Sequence, residues 1–342
     1  MMRFRRNSVV AAALTAIFMA TAPAWAQQPF YAGKTITITI GFGPGGAYDS
    51  YTRLLAPFLT KHIPGNPTVI VANRPGAGGI SAFNHAAKQA PQDGTLIHIA
   101  SQGLLLTELT GAEGLQASLA DFHWLGNVTQ SNNVTATWHT SSVKSMDDAK
   151  KREVTLASSG AGSTSSQMAL VYNNLLGTKF KAIMGYEGGA ASNLAMERGE
   201  TEGRATNTWT GYKASYPDAK SKLNVLVQIG LRREPDLPDV PLLTDLLQGD
   251  ARKHAVALII SQTLALARCF AAPPGTPADR VEILRRAFDA SMKDPELLET
   301  ARKQELEISP MTGIEVHNTI KQVLAAPAEI KQDAKTALGI AK

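Results

Sequence analysis

The sequence predicts two α/β lobes that face each other across a cleft. Three observations carry this. Short β-branched runs alternate with helical periodicity along most of the chain. Strand after strand ends in a glycine- or serine-rich turn that opens a helix. A single cysteine, Cys269, rules out an intramolecular disulfide, so 342 residues must be held by packed layers. Strand–helix–strand spacing of this kind favours a mostly parallel sheet flanked by helices in each lobe.

The N-terminus comes first. Arg3, Arg5 and Arg6 precede an apolar stretch from Val9 to about Ala20, and Ala24-Trp25-Ala26 follows. That is a basic region, an apolar core and a small-residue cleavage site, the pattern of an export leader spanning residues 1–26. The apolar stretch is shorter than the roughly 20 residues a membrane span needs. The mature chain is expected to begin at Gln27, outside the cytoplasm, in the periplasm.

Thr35–Ile40 is β-branched throughout and reads as a strand. Tyr51, Leu54, Leu55, Phe58 and Leu59 then form a helical stripe, which Pro57 should bend or shorten. Thr68–Val71 is a second strand, "SAFNHAAKQA" a helix and "TLIHIAS" a third strand. The middle repeats the style. "REVTLASSGAGSTSSQMALVYNNLLG" and "FKAIMGYEGGAASNLAMERGE" each read strand, turn, helix, and "LNVLVQIG" is a further strand. "LRREPDLPDVPLL" is a proline-rich loop. The C-terminal part is helical, with starts marked by Thr276-Pro277, by Asp294-Pro295 and by a capping box of Thr312 with Glu315. Cys269, in "LARCFAAP", reads as a buried small residue in a strand.

Charge narrows the function. The formal net charge is +5, and removing the leader with its three arginines leaves +2. No block of Lys and Arg stands beside aromatics, so no nucleic-acid partner is expected.

"GFGPGGA", "RPGAGG" and "SSGAGSTSS" are the informative turns. A helix N-terminus carries unpaired N–H groups, and glycine lets a ligand approach that backbone. Such turns bind carboxylate or phosphate without a cationic side chain, or they are simply tight turns. Gly41, Gly43 and Gly46 also satisfy the dinucleotide spacing G-x-G-x-x-G. Three points oppose that reading. The second strand ends in Asn73 and Arg74 instead of an acid for the ribose, Asp49 would sit near the pyrophosphate, and export removes the cofactor pool. No cofactor is therefore expected.

Catalytic signals are thin. The seven histidines are scattered without H-x-H or H-E-x-x-H spacing, so no metal site is expected. "SSGAGSTSS" lacks the nucleophile elbow around Ser163. Tyr48, Tyr186 and Trp209 flank the turns, either as apolar walls for a ligand or as core. Affinity is expected from desolvated backbone donors, not from a cationic pocket.

Together, "ITIGFGPGGAYDSYTRLLA", "VIVANRPGAGG", "APQDGTLI", "LASSGAGSTSSQMAL", "GYEGGAASNLAMERGE", "LPDVPLLTDL" and "CFAAPPGTPADRVEILRRAF" resemble the Bug-type periplasmic solute-binding proteins of tripartite tricarboxylate transporters. The resemblance covers nearly all of the mature chain. It implies a Venus flytrap binding protein with two hinge crossings, one lobe made of 27–127 and 232–342 and the other of 128–231. It implies a small carboxylate ligand, delivery to the permease subunits of the transporter, a monomer and no enzymatic activity. Carried over residue by residue, the implied ligand-binding positions are Gly43, Ala47, Tyr48 and Asp49 in the first loop and Ala77 and Gly78 in the second. From the other lobe come Ser159, Ser163, Thr164, Tyr186, Gly188, Asn207 and Thr208. Asp49 is expected to accept bonds from loop N–H groups or water and so fix its turn. Tyr48 stands where the family often has Thr. Two other readings remain: a receptor for a signalling partner, and a secreted hydrolase using Ser163.

Overall fold

The structure is a computed structural model that describes residues 28–340. The expected leader and its cleavage site lie outside the described residues. β1 (Thr35–Ile40) leads into α1 (Ala47–His62), β2 (Thr68–Asn73) into α2 (Ile80–Lys88), and β3 (Leu96–Ala100) into α3 (Gly103–Thr110). β4 (His123–Asn127) precedes the passage to a second sheet. There β5 (Asn133–Trp138) is followed by α4 (Asp148–Lys151), β6 (Val154–Ala157), α5 (Thr164–Leu176), β7 (Phe180–Ile183) and α6 (Gly189–Glu197). β8 (Gly203–Thr208), α7 (Trp209–Ser215), α8 (Ala219–Lys222) and β9 (Leu223–Ile229) complete that part. The chain returns through the proline-rich loop and α9 (Ala251–Leu264) to β10 (Cys269–Ala272). It ends with α10 (Ala278–Ser291), α11 (Pro295–Lys303), β11 (Met311–Thr312), α12 (Gly313–Leu324) and α13 (Ala328–Ala337).

Six strands form one sheet in the order β11-β4-β10-β3-β1-β2, and five form the other in the order β7-β6-β8-β5-β9. Each sheet has a parallel core, β2-β1-β3 in the first and β7-β6-β8 in the second. The antiparallel pairings belong to β5, β10 and β11. β5 and β10 are the first strands the chain lays down after each passage between sheets. Parallel cores need helical crossovers, which explains the helices between them.

Ile36, Ile38 and Ile40 of β1 pack against the α1 stripe and against Leu284 and Phe288 of α10 in one buried cluster. α1 runs through Pro57 to His62, so the proline does not shorten it. Pro57 and Arg53 are both exposed, so the hydrogen bond that the proline removes lies on the outer side of the helix. A second cluster joins Phe83 and α3 to Leu156 of β6, to Met168 and Tyr172 of α5 and to α9, α12 and α13. α13 packs on both α3 and α5 and so braces the two sheets together.

The C-terminal helix starts hold with one correction. Asp294 caps α11 with Pro295 behind it, and Thr312 and Glu315 form the expected capping box. α10, however, begins one residue later than expected, with Pro277 at the cap position and no side-chain cap. The Thr276 hydroxyl is buried without a partner. Cys269 is buried in β10, where burial pushes its thiol up out of the reactive range. Among the described residues, no helix is long and apolar enough to cross a membrane.

Candidate functional site: a cleft between the two sheets

In open sheets, ligands sit beyond the carboxyl ends of the parallel strands. Here both sheets turn those ends towards one narrow cleft. The six-stranded side contributes Phe42, Gly43, Gly46, Ala47 and Tyr48 from the β1–α1 turn, and Ser101 and Gln102 after β3. The five-stranded side contributes Ser159, Ser163, Thr164 and Ser165 after β6, and Gly188 and Gly189 after β7. Arg204, Thr206, Asn207 and Thr208 come from β8. β8 bulges against β5 between Arg204 and Asn207, and all four of these residues reach the cleft.

Of the residues singled out by the sequence, nine line this cleft: Gly43, Ala47, Tyr48, Ser159, Ser163, Thr164, Gly188, Asn207 and Thr208. Asp49, Ala77, Gly78 and Tyr186 do not. Asp49 lies behind the first turn. Its carboxylate accepts from the Gly45 N–H at 3.0 Å, from Arg53 Nε at 2.9 Å and from Asn73 Nδ2 at 3.1 Å. Burial pushes this carboxyl up, and the bonds from Arg53, Gly45 and Asn73 outweigh it, leaving it below its ordinary value. It ties the end of β2 to the turn after β1.

The glycine loops meet each other. Gly43 donates its N–H to the Glu187 carbonyl at 2.8 Å, across the cleft, so that donor is already committed. Gly78 has φ +71°, and a Cβ there would lie 2.1 Å from the Ser163 nitrogen. Ala77, beside it, is one of few non-glycine residues in the left-handed region, at φ 48°. These loops therefore let the backbone of one wall approach the backbone of the other.

Tyr186 reaches Glu200, at 3.3 Å, instead of the cleft. Trp209 is 1% exposed in the core beside Tyr212 and donates to Asp236. Of the three aromatics left open between wall and core, only Tyr48 meets the cleft. Its ring stacks on Phe42 with centroids 4.7 Å apart, and its hydroxyl accepts the Gln102 N–H at 3.1 Å.

Ser163 caps α5, accepting from the Ser166 N–H, and lies in a cluster of hydroxyls with Ser158 and Ser165. Its own hydroxyl donates to the Gly160 carbonyl at 2.6 Å. A nucleophile needs a base within hydrogen-bond reach, and the partners of Ser163 are serines and backbone. No group of His, Cys, Asp or Glu among the described residues is placed to hold a metal ion.

The expectation of a site without cationic side chains is overturned. Arg204 is 7% exposed and Arg268 is 2% exposed, and both line the cleft. Arg204 Nη1 donates to Asn193 Oδ1 at 2.8 Å. Arg268 donates to the Ala267 carbonyl at 2.6 Å and, across the cleft, to Thr208 Oγ1 at 3.0 Å. The Arg268 guanidinium lies 4.3 Å from the centre of the Tyr48 ring. Among the described residues, no Asp or Glu lines the cleft. Burial pulls the Arg204 guanidinium below its ordinary value, and repulsion from Arg268 adds to this. Neither arginine belongs to a motif. Arg268 falls in the site because Cys269 pairs with Ala100, which places it just past the carboxyl end of β3.

Comparison with known proteins agrees with this architecture. The tripartite tricarboxylate transporter family receptor matches residues 52–334. A protein of Cupriavidus necator, called a UPF0065 protein in the gbd 5' region, is 28% identical over 314 residues, covering 89% of this chain and 88% of its own. The periplasmic binding protein BugD matches the fold with TM-score 0.73 at 20% identity, over 91% of this chain and 100% of BugD. MatC from Rhodopseudomonas palustris, solved with bound malate, gives TM-score 0.69 at 16% identity, over 89% and 99% of the two chains. The receptor family is one of solute-binding proteins, not enzymes. The chain belongs to the tripartite tricarboxylate transporter receptor family.

Proposed function

We propose that this receptor captures a small carboxylate in the cleft between its sheets and delivers it to a membrane permease of the tripartite tricarboxylate type. The observation that supports this reading is the charge of the cleft: two buried guanidiniums and, among the described residues, no acidic side chain on its lining. Buried charges of one sign call for a ligand of the other. The malate bound to MatC supports the carboxylate class.

Each planar guanidinium offers forked donors that match a carboxylate. Thr164, Asn207 and the α1 and α5 N-termini supply further polar groups, and Tyr48 and Phe42 supply apolar surface. The ligand would seat between lobes formed by 27–127 with 232–342 and by 128–231, closing them together. The permease would read the closed form, with the receptor acting as a periplasmic monomer after cleavage behind Ala26. Asp49, Ala77, Gly78 and Tyr186 take supporting places outside the lining.

A thermal-shift screen of carboxylic acids against neutral sugars and amines tests this. A ligand at about 100 times its dissociation constant raises stability by roughly 2.7 kcal/mol. Shifts with carboxylates alone are expected. Shifts with sugars or amines alone would refute the carboxylate reading.

A further inference from the structure

We infer that Arg204 and Arg268 form a split two-cation clamp that makes this receptor selective for ligands carrying two separate negative groups, an inference that rests on the carboxylate reading above. The two guanidiniums come from different walls, one from β8 in the five-stranded sheet and one from the residue before β10 in the six-stranded sheet. Both are more than nine-tenths buried. What orients them is neutral: Asn193 and the Gly189 carbonyl for Arg204, and the Ala267 carbonyl, Thr208 and the Tyr48 ring for Arg268. These groups satisfy some N–H donors and cancel no charge. The Nε of each arginine is buried without a partner.

A desolvated cation without a counter-ion is costly, and two that repel each other cost more. A single carboxylate leaves one of them uncompensated. A ligand with an anionic group at each end balances both and ties the two walls together in the same step. Tyr48, whose ring carries Arg268, is then a positioning residue for one end of the clamp.

Isothermal titration of the purified protein with the matched pairs succinate and butyrate, glutarate and valerate, and adipate and hexanoate tests this, with methyl phosphate as a further arm. The best dicarboxylate should bind about thirtyfold or more tighter than its monocarboxylate mate, the size of one lost charge-assisted contact. Arg204→Gln should bring the pair to parity and raise the melting temperature of the ligand-free protein, because it removes an uncompensated buried charge. Arg204→Lys keeps the charge and should keep most of the preference. Equal binding of both members of each pair by the wild-type protein overturns the clamp and leaves the carboxylate receptor standing. So does an Arg204→Gln protein that melts lower and keeps the preference, which makes Arg204 a structural residue. Tight binding of methyl phosphate without any dicarboxylate response overturns the split arrangement. Silence towards every carboxylate refutes the underlying reading as well.

Discussion

Along the six-stranded sheet the cleft is lined by a glycine turn, two stacked aromatic rings, Ser101 and Gln102, while along the five-stranded sheet it is lined by hydroxyls, two amides and a guanidinium. One wall is mostly backbone and the other mostly side chain. The difference bears on what the glycines are for. At Gly43 and Gly78 the backbone faces the opposite wall, and the Gly43 N–H is spent on the Glu187 carbonyl. The backbone wall sets how closely the sheets approach. The side-chain wall, with Arg268 reaching across to it, sets the charge.

The largest expected effect comes from adding atoms to the backbone wall. Gly78→Val places a branched side chain in the left-handed region and against the Ser163 backbone. It should cost about 3 kcal/mol in urea unfolding and abolish the carboxylate-induced thermal shift. An unchanged shift would mean that the loops do not meet when ligand binds.

Behind the same wall, His98 of β3 is 1% exposed, with Nδ1 on Thr39 Oγ1 at 3.0 Å and Nε2 unpartnered. Burial lowers its pKa from 6.5 to about 4. The folded state therefore holds the neutral ring where the unfolded chain takes up a proton. This stability is present above pH 6.5 and is lost as pH falls towards 4, reaching a loss of about 2 kcal/mol at pH 5. Urea unfolding from pH 7 to pH 5 measures it, and His98→Leu should remove this part of the pH dependence.

A smaller pair of effects sets the walls side by side. Asp49→Asn loosens the backbone wall by weakening its bonds to Gly45 and Arg53, at about 1–2 kcal/mol. Thr208→Val should cost about the same, since its hydroxyl caps α7 and accepts from Arg268. The two differ in binding. Asp49→Asn should act on affinity through the turn alone, while Thr208→Val frees Arg268 and should weaken the preference for dicarboxylates. Equal ratios in both variants would break the distinction between the walls.

The smallest effect has the opposite sign. Ala77→Gly relieves a left-handed alanine and should stabilise by about 1 kcal/mol, read as a raised urea midpoint.

Much of the fold was legible because its signals are local. β1, the α1 stripe, the strand–turn–helix units around β6 and β7, and the caps at Asp294 and Thr312 each depend on neighbours within a turn or a strand. The one-residue error at Thr276 is of the same local kind: proline at the cap position displaced the side-chain cap that threonine would have made. The glycine turns were legible as places of close approach, but their partner was not. The structure adds that Gly43 meets Glu187 and Gly78 meets Ser163 across the two walls.

By itself, the sequence determined the alternating α/β elements, the turns that bring strand ends to one cleft, and the absence of a disulfide or a metal-ligand pattern, because all of these are written in adjacent residues. Only the tertiary structure decided the charge of the cleft. Arg204 sits near the start of a threonine-rich strand and Arg268 in an apolar run, and each alone reads as an isolated basic residue. They share a cleft because β8 is a central strand whose residues line it and because β10 returns antiparallel beside β3. Pairings between strands far apart in sequence leave no periodic mark in the chain, so the two cations that line the cleft become visible only once the sheets are assembled.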